Sequence, residues 1–387
     1  MKGFIPYGKQ QITQDDIDAV ASVLKSDFIT QGPVTKAFEK AFAAYIGSKY
    51  AVAVANGTAA LHLSAMALQI DEGQTVITSP LTFAASANCV RYCRGNVQFV
   101  DIEPDTLCLD INKVEDLLKK NNQEYIKGII PVDFAGYPAN TEALRYLADR
   151  YGLWILEDSC HAPGAHFTDS TGIVQQCGNG FYSDLSIFSF HPVKHITTGE
   201  GGMITTNDIK KVDRIKRLRI HGITKEPDLL NENHGGWYYE MQELGFNYRI
   251  TDFQCALGIS QLKRADKALK RRKEIAEKYS EVFKNYDFII IPKVPRGISH
   301  AWHLYVIQVP ERKKLYDHLR LNNINTQVHY IPVHLQPYYR QLGWKKGDFP
   351  HVEKYYDSCL SIPMYPGLSN EQQEYTIQKI LEFYKIS

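Results

Sequence analysis

Nearly continuous apolar runs punctuate the first two-thirds of the chain: YAVAVAN (50–56), QTVITSP (74–80), VQFVDIE (97–103), IKGIIPVDF (126–134), LWILEDS (153–159), DLSIFSF (184–190) and GGMITTN (201–207). Runs this short and this apolar read as strands covered on both faces. Stretches with helical spacing separate most of them: TAALHLSAMALQI after the first, INKVEDLLKK after the third and NTEALRYLADRYG after the fourth. The alternation predicts an α/β fold, a largely parallel sheet sandwiched by helices. Only SFHPVKHITTGEGG lies between the last two runs, with no room for a crossover helix. The seven-stranded sheet is therefore expected to be mixed, antiparallel at that edge.

From TDFQCALG onward the pattern changes. Residues 252–286 read as one long helix, with Phe253, Leu257, Leu262, Leu269, Ile275, Tyr279 and Val282 near helical spacing and charges between them. The RADKALKRRKE run within it reads as a solvated helix face rather than a nucleic-acid patch. HAWHLYVIQV, INTQVHYIP and a terminal NEQQEYTIQKILEFYK helix suggest a smaller α+β part. The expected division is 1–251 for a large domain and 252–387 for a connecting helix and small C-terminal domain.

Composition narrows the class. With 387 residues, 44 Lys+Arg against 43 Asp+Glu and 44% hydrophobic residues, the chain has the make-up of a globular protein of one or two domains. Balanced charge argues against a dedicated nucleic-acid binder, and no apolar stretch is long enough to span a membrane. The N-terminal MKGFIPYGKQQ lacks the apolar segment of a signal peptide. Seven scattered cysteines without a C-x-x-C pair suggest neither zinc nor a disulfide framework, and a cytoplasmic location is expected.

Three local features carry candidate chemistry. In NGTAAL, Asn56, Gly57 and Thr58 follow a strand and open a helix. Gly57 lets backbone N–H groups approach an anion, Thr58 adds a hydroxyl and the helix N-terminus favours negative charge. Taken alone, this is more often the signature of an ordinary helix cap. Asp158 ends the apolar run LWILEDS, where a carboxylate stays ionised only with a cationic or hydrogen-bonding partner; capping the next helix is its plain alternative. Lys194 lies in the turn between the last two runs, with Ser189 five positions earlier as a second phosphate-facing hydroxyl; most single lysines are merely surface charge. Together, however, an amine, an acid and an anion cradle are what pyridoxal 5′-phosphate requires. No G-x-G-x-x-G follows the first strand and no G-x-x-x-x-G-K-[ST] occurs, which argues against dinucleotide and P-loop enzymes.

Over essentially its full length the chain resembles the DegT/DnrJ/EryC1/StrS family of nucleotide-sugar aminotransferases. The resemblance is carried by SDFITQGP, NGTAALHL, SPLTFAASAN, LEDSCHAPGA, FSFHPVKHITTGEGGMITTND, RIHGITK, LGFNYRITDFQCALGISQLKR and QVHYIPVH. It implies the aspartate aminotransferase-like fold (fold type I) and pyridoxal phosphate as cofactor. Lys194 would be the Schiff-base lysine and proton shuttle, and Asp158 the partner of the pyridinium nitrogen. His161 stands where many relatives carry glutamine and would lie near the ring or its substituent. Phe83 would stack on the cofactor face, core packing being its alternative. Gly57, Thr58 and Ser189 would hold the phosphate, and Asn247 would reach it from a neighbouring subunit, implying a homodimer with shared sites.

For a sugar nucleotide the resemblance points to Tyr7, the loop Asp27, Phe28, Ile29 and Thr30, and the segment Gln327, Val328, His329 and Tyr330. Arg249 and Lys9 are further candidates for a carboxylate or diphosphate, unless they are simply surface charges. His191 and His195 flank the lysine and are given positioning roles, because Lys194 can itself carry the proton. Relatives that dehydrate carry histidine in place of the lysine, so its presence favours transamination. The expected reaction passes an amino group from L-glutamate to the 4-keto group of a UDP-linked 6-deoxy-N-acetylhexosulose. The rivals are a dTDP- or GDP-linked sugar or a 3-keto position, and a non-catalytic cofactor-binding sensor, for which no helix-turn-helix precedes IPYGKQQ.

Overall fold

Each of the seven apolar runs contributes one strand to a single sheet: β1 (Tyr50–Val54), β2 (Thr75–Thr78), β3 (Asn96–Phe99), β4 (Ile126–Ile130), β5 (Trp154–Asp158), β6 (Leu185–Ser189) and β7 (Gly202–Thr206). The computed structural model describes residues 3–120 and 125–385. Strand order is β1-β7-β6-β5-β4-β2-β3. All neighbours are parallel except β7, which runs antiparallel to both β6 and β1. The sequence pattern placed the antiparallel pairing at the sheet edge. Instead β1 takes the outer position, so β7 lies one strand inside it.

Alternate strand residues supply the two faces, as the period of two requires. Val54, Val76, Ile130, Leu156, Ile187 and Ile204 pack beneath the helices Gly57–Ala67 and Ile209–Leu218. On the other face, Ile77, Ile129 and Ile155 meet helices Ile111–Lys120 and Thr141–Tyr151, while Ala53, Phe188 and Met203 meet Phe38, Phe42 and Ile46 of helix Pro33–Ile46. The outer edge of β1 is closed by side chains: Glu39 accepts from Ala53 N at 3.0 Å, and Arg219 donates both to Glu39 and to the Ala53 carbonyl. An edge strand capped in this way offers no template for another strand.

The expected helix over 252–286 is two helices, Asp252–Leu262 and Ala265–Phe283. Arg264, between them, leaves helical geometry (φ −118°, ψ 12°), and its guanidinium donates to the buried Asp16 carboxylate, to Thr13 Oγ1 and to the Gln11 carbonyl. The break lets the two halves serve different partners. Asp252, fully buried, accepts from Gly32 N, Val34 N and Thr35 Oγ1 at 2.8–2.9 Å, and so caps helix Pro33–Ile46, whose own cap position is a glycine. Ile275, Tyr279 and Phe283 of the second half enter a separate core with β8 (Tyr305–Gln308), β9 (Cys359–Ile362) and helix Asn370–Phe383.

Strands β8 and β9 pair antiparallel. INTQVHYIP adds no strand to them, only one bridge from Gln327 to Ser361. Residues 5–7, grouped by sequence with the first part, hydrogen-bond to the second: Ile5 exchanges bonds with Asn323 and Asn325, and the Tyr7 carbonyl accepts from Met364 N. Among the described residues no helix is long and apolar enough to cross a membrane.

Candidate active site

Parallel strands place their carboxyl ends on one rim, and there the chain bends around a cavity of about 730 Å³. Asn56, Gly57 and Thr58 leave β1, Thr82 and Phe83 follow β2, Asp158 ends β5 and Ser189 ends β6; Lys194 lies on the loop to β7. Tyr7 and Gln327–Tyr330 close the opposite wall from the second core.

The anion cradle has a steric basis. Asn56 Oδ1 caps helix Gly57–Ala67 by accepting from Ala59 N at 2.8 Å, which aims the helix N-terminus at the cavity. A Cβ at Gly57 would stand 2.9 Å from the Ser189 Cβ, so only glycine keeps the backbone and the serine this close. Asp158 is buried and oriented by two donors, Ser86 Oγ at 2.6 Å and Cys160 N at 3.2 Å. Thr82 and Ser86 share a further hydroxyl contact of 2.7 Å. Ser86 was not a sequence candidate: it lies 72 residues from Asp158, and nothing in SPLTFAASAN signals the pairing.

Removal from water pushes the Lys194 amine below the ordinary lysine value, against Cys160 and Asp158, which raise it. His195 faces away from the cavity, 2.8 Å from the Ala301 carbonyl through Nε2. His191 lines the cavity and is exposed. Phe83 is 62% exposed, which rules out the core-packing alternative. Phe83→Ala is therefore expected to leave the melting of the cofactor-free protein within about 0.5 kcal/mol. Pyridoxal phosphate titration would show weaker retention of the cofactor, and a core-sized drop in stability would restore the packing role.

Asn247, Arg249, Lys9 and the four residues of the Asp27–Thr30 loop do not line this chain's own cavity. Asn247 is exposed and bridges to Ile220. The Asp27–Thr30 loop is exposed, with Phe28 at 56% and Ile29 at 50%, and is tied to Thr251 and Asp252. Arg249 lines a different cavity of about 670 Å³ beside β1, with Lys36, Lys40, Lys49, Lys216 and Arg219. Lys9 is exposed and lines neither cavity. Sequence motifs record which residues recur together, not which wall each one faces.

Beneath Asp158, on the other side of β5, lies a buried acid pair. Oxygens of Asp133 and Glu157 and the Cys177 sulfur fall within 4.8 Å of one another. Glu157 Oε2 accepts from Gly178 N, Ser183 Oγ and Ser186 Oγ; Asp133 accepts from Ala139 N and Ser159 Oγ. Burial raises both carboxyls above their ordinary range, with mutual repulsion adding to the rise at Asp133. Acids whose folded value is raised stabilise the fold fully below their unfolded value, and that stability is lost as pH rises through the folded one. Melting temperature should thus fall with rising pH above the ordinary carboxylate range. Glu157→Gln, whose amide can donate to Asp133, should flatten that slope; an unchanged slope would dismiss the pair as its source.

The chain belongs to the DegT/DnrJ/EryC1/StrS aminotransferase family, whose model matches residues 10–381. It is 38% identical over 390 residues to the spore coat polysaccharide biosynthesis protein SpsC of Bacillus subtilis, covering 99% of this chain and 97% of that one. It is 36% identical over 391 residues to the UDP-4-amino-4,6-dideoxy-N-acetyl-beta-L-altrosamine transaminase of Campylobacter jejuni, covering 98% of each. Its fold matches Helicobacter pylori PseC, an aminotransferase of pseudoaminic acid biosynthesis, with a TM-score of 0.89 at 28% identity, covering 99% of this chain and 100% of that one. The protein is a sugar aminotransferase with the fold type I architecture, and pyridoxal 5′-phosphate is its cofactor. The cradle at Gly57 and Ser189, the oriented Asp158 and the desolvated Lys194 fit that group in kind and in order around one cavity.

Proposed function

We propose that this enzyme moves an amino group from L-glutamate to the C4 keto group of a UDP-linked 6-deoxy-N-acetylhexosulose, forming UDP-4-amino-4,6-dideoxy-N-acetyl-β-L-altrosamine for pseudaminic acid. The observation that carries amino transfer is the convergence of Lys194, Asp158 and the Gly57–Ser189 cradle on one cavity. The Campylobacter relative supports the particular sugar.

Pyridoxal phosphate supplies an aldehyde for the lysine and an electron sink for the carbanion. Gly57, Thr58 and Ser189 would hold its phosphate, and Phe83 would cover one ring face. Asp158, fixed by Ser86 and Cys160 N, would hold the ring nitrogen in its protonated form. Lys194 would be the group that carries the proton of the donor's α-carbon, and a lowered amine value leaves more of it neutral for that role. His161, Tyr7, Gln327, Val328, His329 and Tyr330 line the same cavity; His161 would stand near the cofactor, and the other five would form the wall for the sugar.

The working unit in this reading is a homodimer. Asn247 and the exposed Asp27–Thr30 loop, which do not enter their own cavity, are available to a partner's. Inactive Lys194→Ala and Asn247→Ala chains mixed together would regain activity if sites are shared.

The Bacillus relative is named for a different product, spore coat polysaccharide, so the second reading is amino transfer to another keto-sugar nucleotide, such as a dTDP- or GDP-linked one. Mass spectrometry of the product from UDP-2-acetamido-2,6-dideoxy-β-L-arabino-hex-4-ulose and glutamate, with NMR of the C4 configuration, tests the first reading. Turnover of only dTDP- or GDP-linked substrates would replace it by the second.

A further inference from the structure

His161 occupies an unusual junction. It is 5% exposed, and its Nδ1 accepts the backbone N–H of Ala135 at 3.2 Å. A backbone amide can only donate, so Nδ1 carries no proton and the neutral ring holds its hydrogen on Nε2. That nitrogen lies 3.2 Å from the hydroxyl oxygen of Tyr330, which must then accept. The His303 ring packs at a tilt against that of His161, with centroids 4.3 Å apart and 30° between planes. The turn that offers the amide is itself clasped to the segment leading into β8, since the Ala135 and Gly136 carbonyls accept from Leu304 N and Ala301 N. Tyr330 lines the cavity wall, its ring centroid 6.1 Å from that of Phe83. Among the described residues the Tyr330 hydroxyl has no other hydrogen-bond partner, so its own proton is uncommitted.

We propose that His161 is a positioning residue: it accepts from Ala135, donates to the Tyr330 oxygen and so turns the phenol proton of Tyr330 toward an oxygen of the bound ligand. The proposal rests on the cavity being the cofactor and keto-sugar site. Protonating His161 would set two N–H groups against each other at Ala135, and burial with the nearby Lys194 and histidines opposes that charge as well. A glutamine at 161 has the same pair of functions, one amide oxygen to accept and one amide nitrogen to donate. The job is thus defined by hydrogen-bond direction rather than by acid–base chemistry.

The first test needs no cofactor. Two-bond ¹H–¹⁵N correlation spectra of the cofactor-free full chain should show His161 as the Nε2–H tautomer at neutral pH, with its Nε2–H signal moved by Tyr330→Phe. An Nδ1–H tautomer would overturn the proposal whether or not the protein transaminates.

In the loaded enzyme, Tyr330→Phe and His161→Leu should each lower kcat/KM about tenfold or more, and the double variant no further. His161→Gln should recover most of the His161→Leu loss, which a purely space-filling role would not. If the acceptor oxygen is on the cofactor, Tyr330→Phe shifts the visible absorption band; if it is on the sugar, the band stays and KM for the keto-sugar rises. Additive losses, or a Tyr330→Phe enzyme with unchanged band and KM, would overturn the assignment. Because Tyr330→Phe removes one oxygen atom, it keeps the test available should His161→Leu fold poorly. Failure to bind pyridoxal phosphate at all would instead remove the functional reading and leave the tautomer result standing.

Discussion

Lys194→Ala is expected to bind pyridoxal phosphate without the visible band of a lysine imine and to lose turnover with glutamate. Two contributions disappear together, the covalent anchor and the proton carrier, and positioned proton transfer alone is worth roughly 10²–10⁴-fold in rate. The fold should not suffer. The amine makes no ion pair among the described residues and lines a cavity rather than the core, so truncation removes no packing contact of the fold. Small alkylamines should restore a fraction of the proton transfer, since the truncated side chain faces a cavity of about 730 Å³. Borohydride should fix cofactor to the parent chain and not to the variant. An unimpaired Lys194→Ala enzyme would refute the assignment outright.

Asp158→Asn should separate loading from chemistry. The cradle at Gly57, Thr58 and Ser189 is untouched, so cofactor still binds. The carboxylate that would hold the ring nitrogen protonated is gone, and kcat should fall by about 10²–10³-fold, the range seen when a preorganised electrostatic partner is lost. The amide also fits poorly, because both donors, Ser86 Oγ and Cys160 N, point at oxygens and one would meet an NH₂ group. A second readout follows from Lys194. The Asp158 charge raises the amine's value, so its loss should lower that value further and speed amine-directed labelling of the cofactor-free protein. Slower labelling, or kcat within a factor of a few of the parent, would show that Asp158 does not carry the ring nitrogen.

Much of the candidate site is legible in the sequence because its parts lie at strand ends. Gly57, Thr58, Asp158 and Ser189 each stand where an apolar run stops, and parallel strands bring such stops to one rim. Lys194 was legible as the basic residue of a turn too short for a crossover helix. Ser86, His303 and the Ala135–His161–Tyr330 chain were not. Each joins segments far apart in sequence through one hydrogen bond or ring contact, and no local spacing encodes such a meeting. The single helix expected over 252–286 failed for the same reason: its apolar spacing is helical throughout, and the break at Arg264 comes from a carboxylate 248 residues away.

By itself the sequence determined the local elements and their faces. Short, nearly continuous apolar runs rich in Val, Ile and Leu read as strands buried on both faces, and the amphipathic stretches between them as helices lying across that sheet. It also determined the chemical repertoire, an amine, an acid and an anion cradle in that family's order. The tertiary structure alone decided who meets whom: β1 outside β7, Asp252 capping a helix that begins with Gly32 and Pro33, Asn247 and Arg249 directed away from their own cavity. Those outcomes depend on directional contacts between distant segments, whose energy depends on atomic positions that only the completed packing supplies.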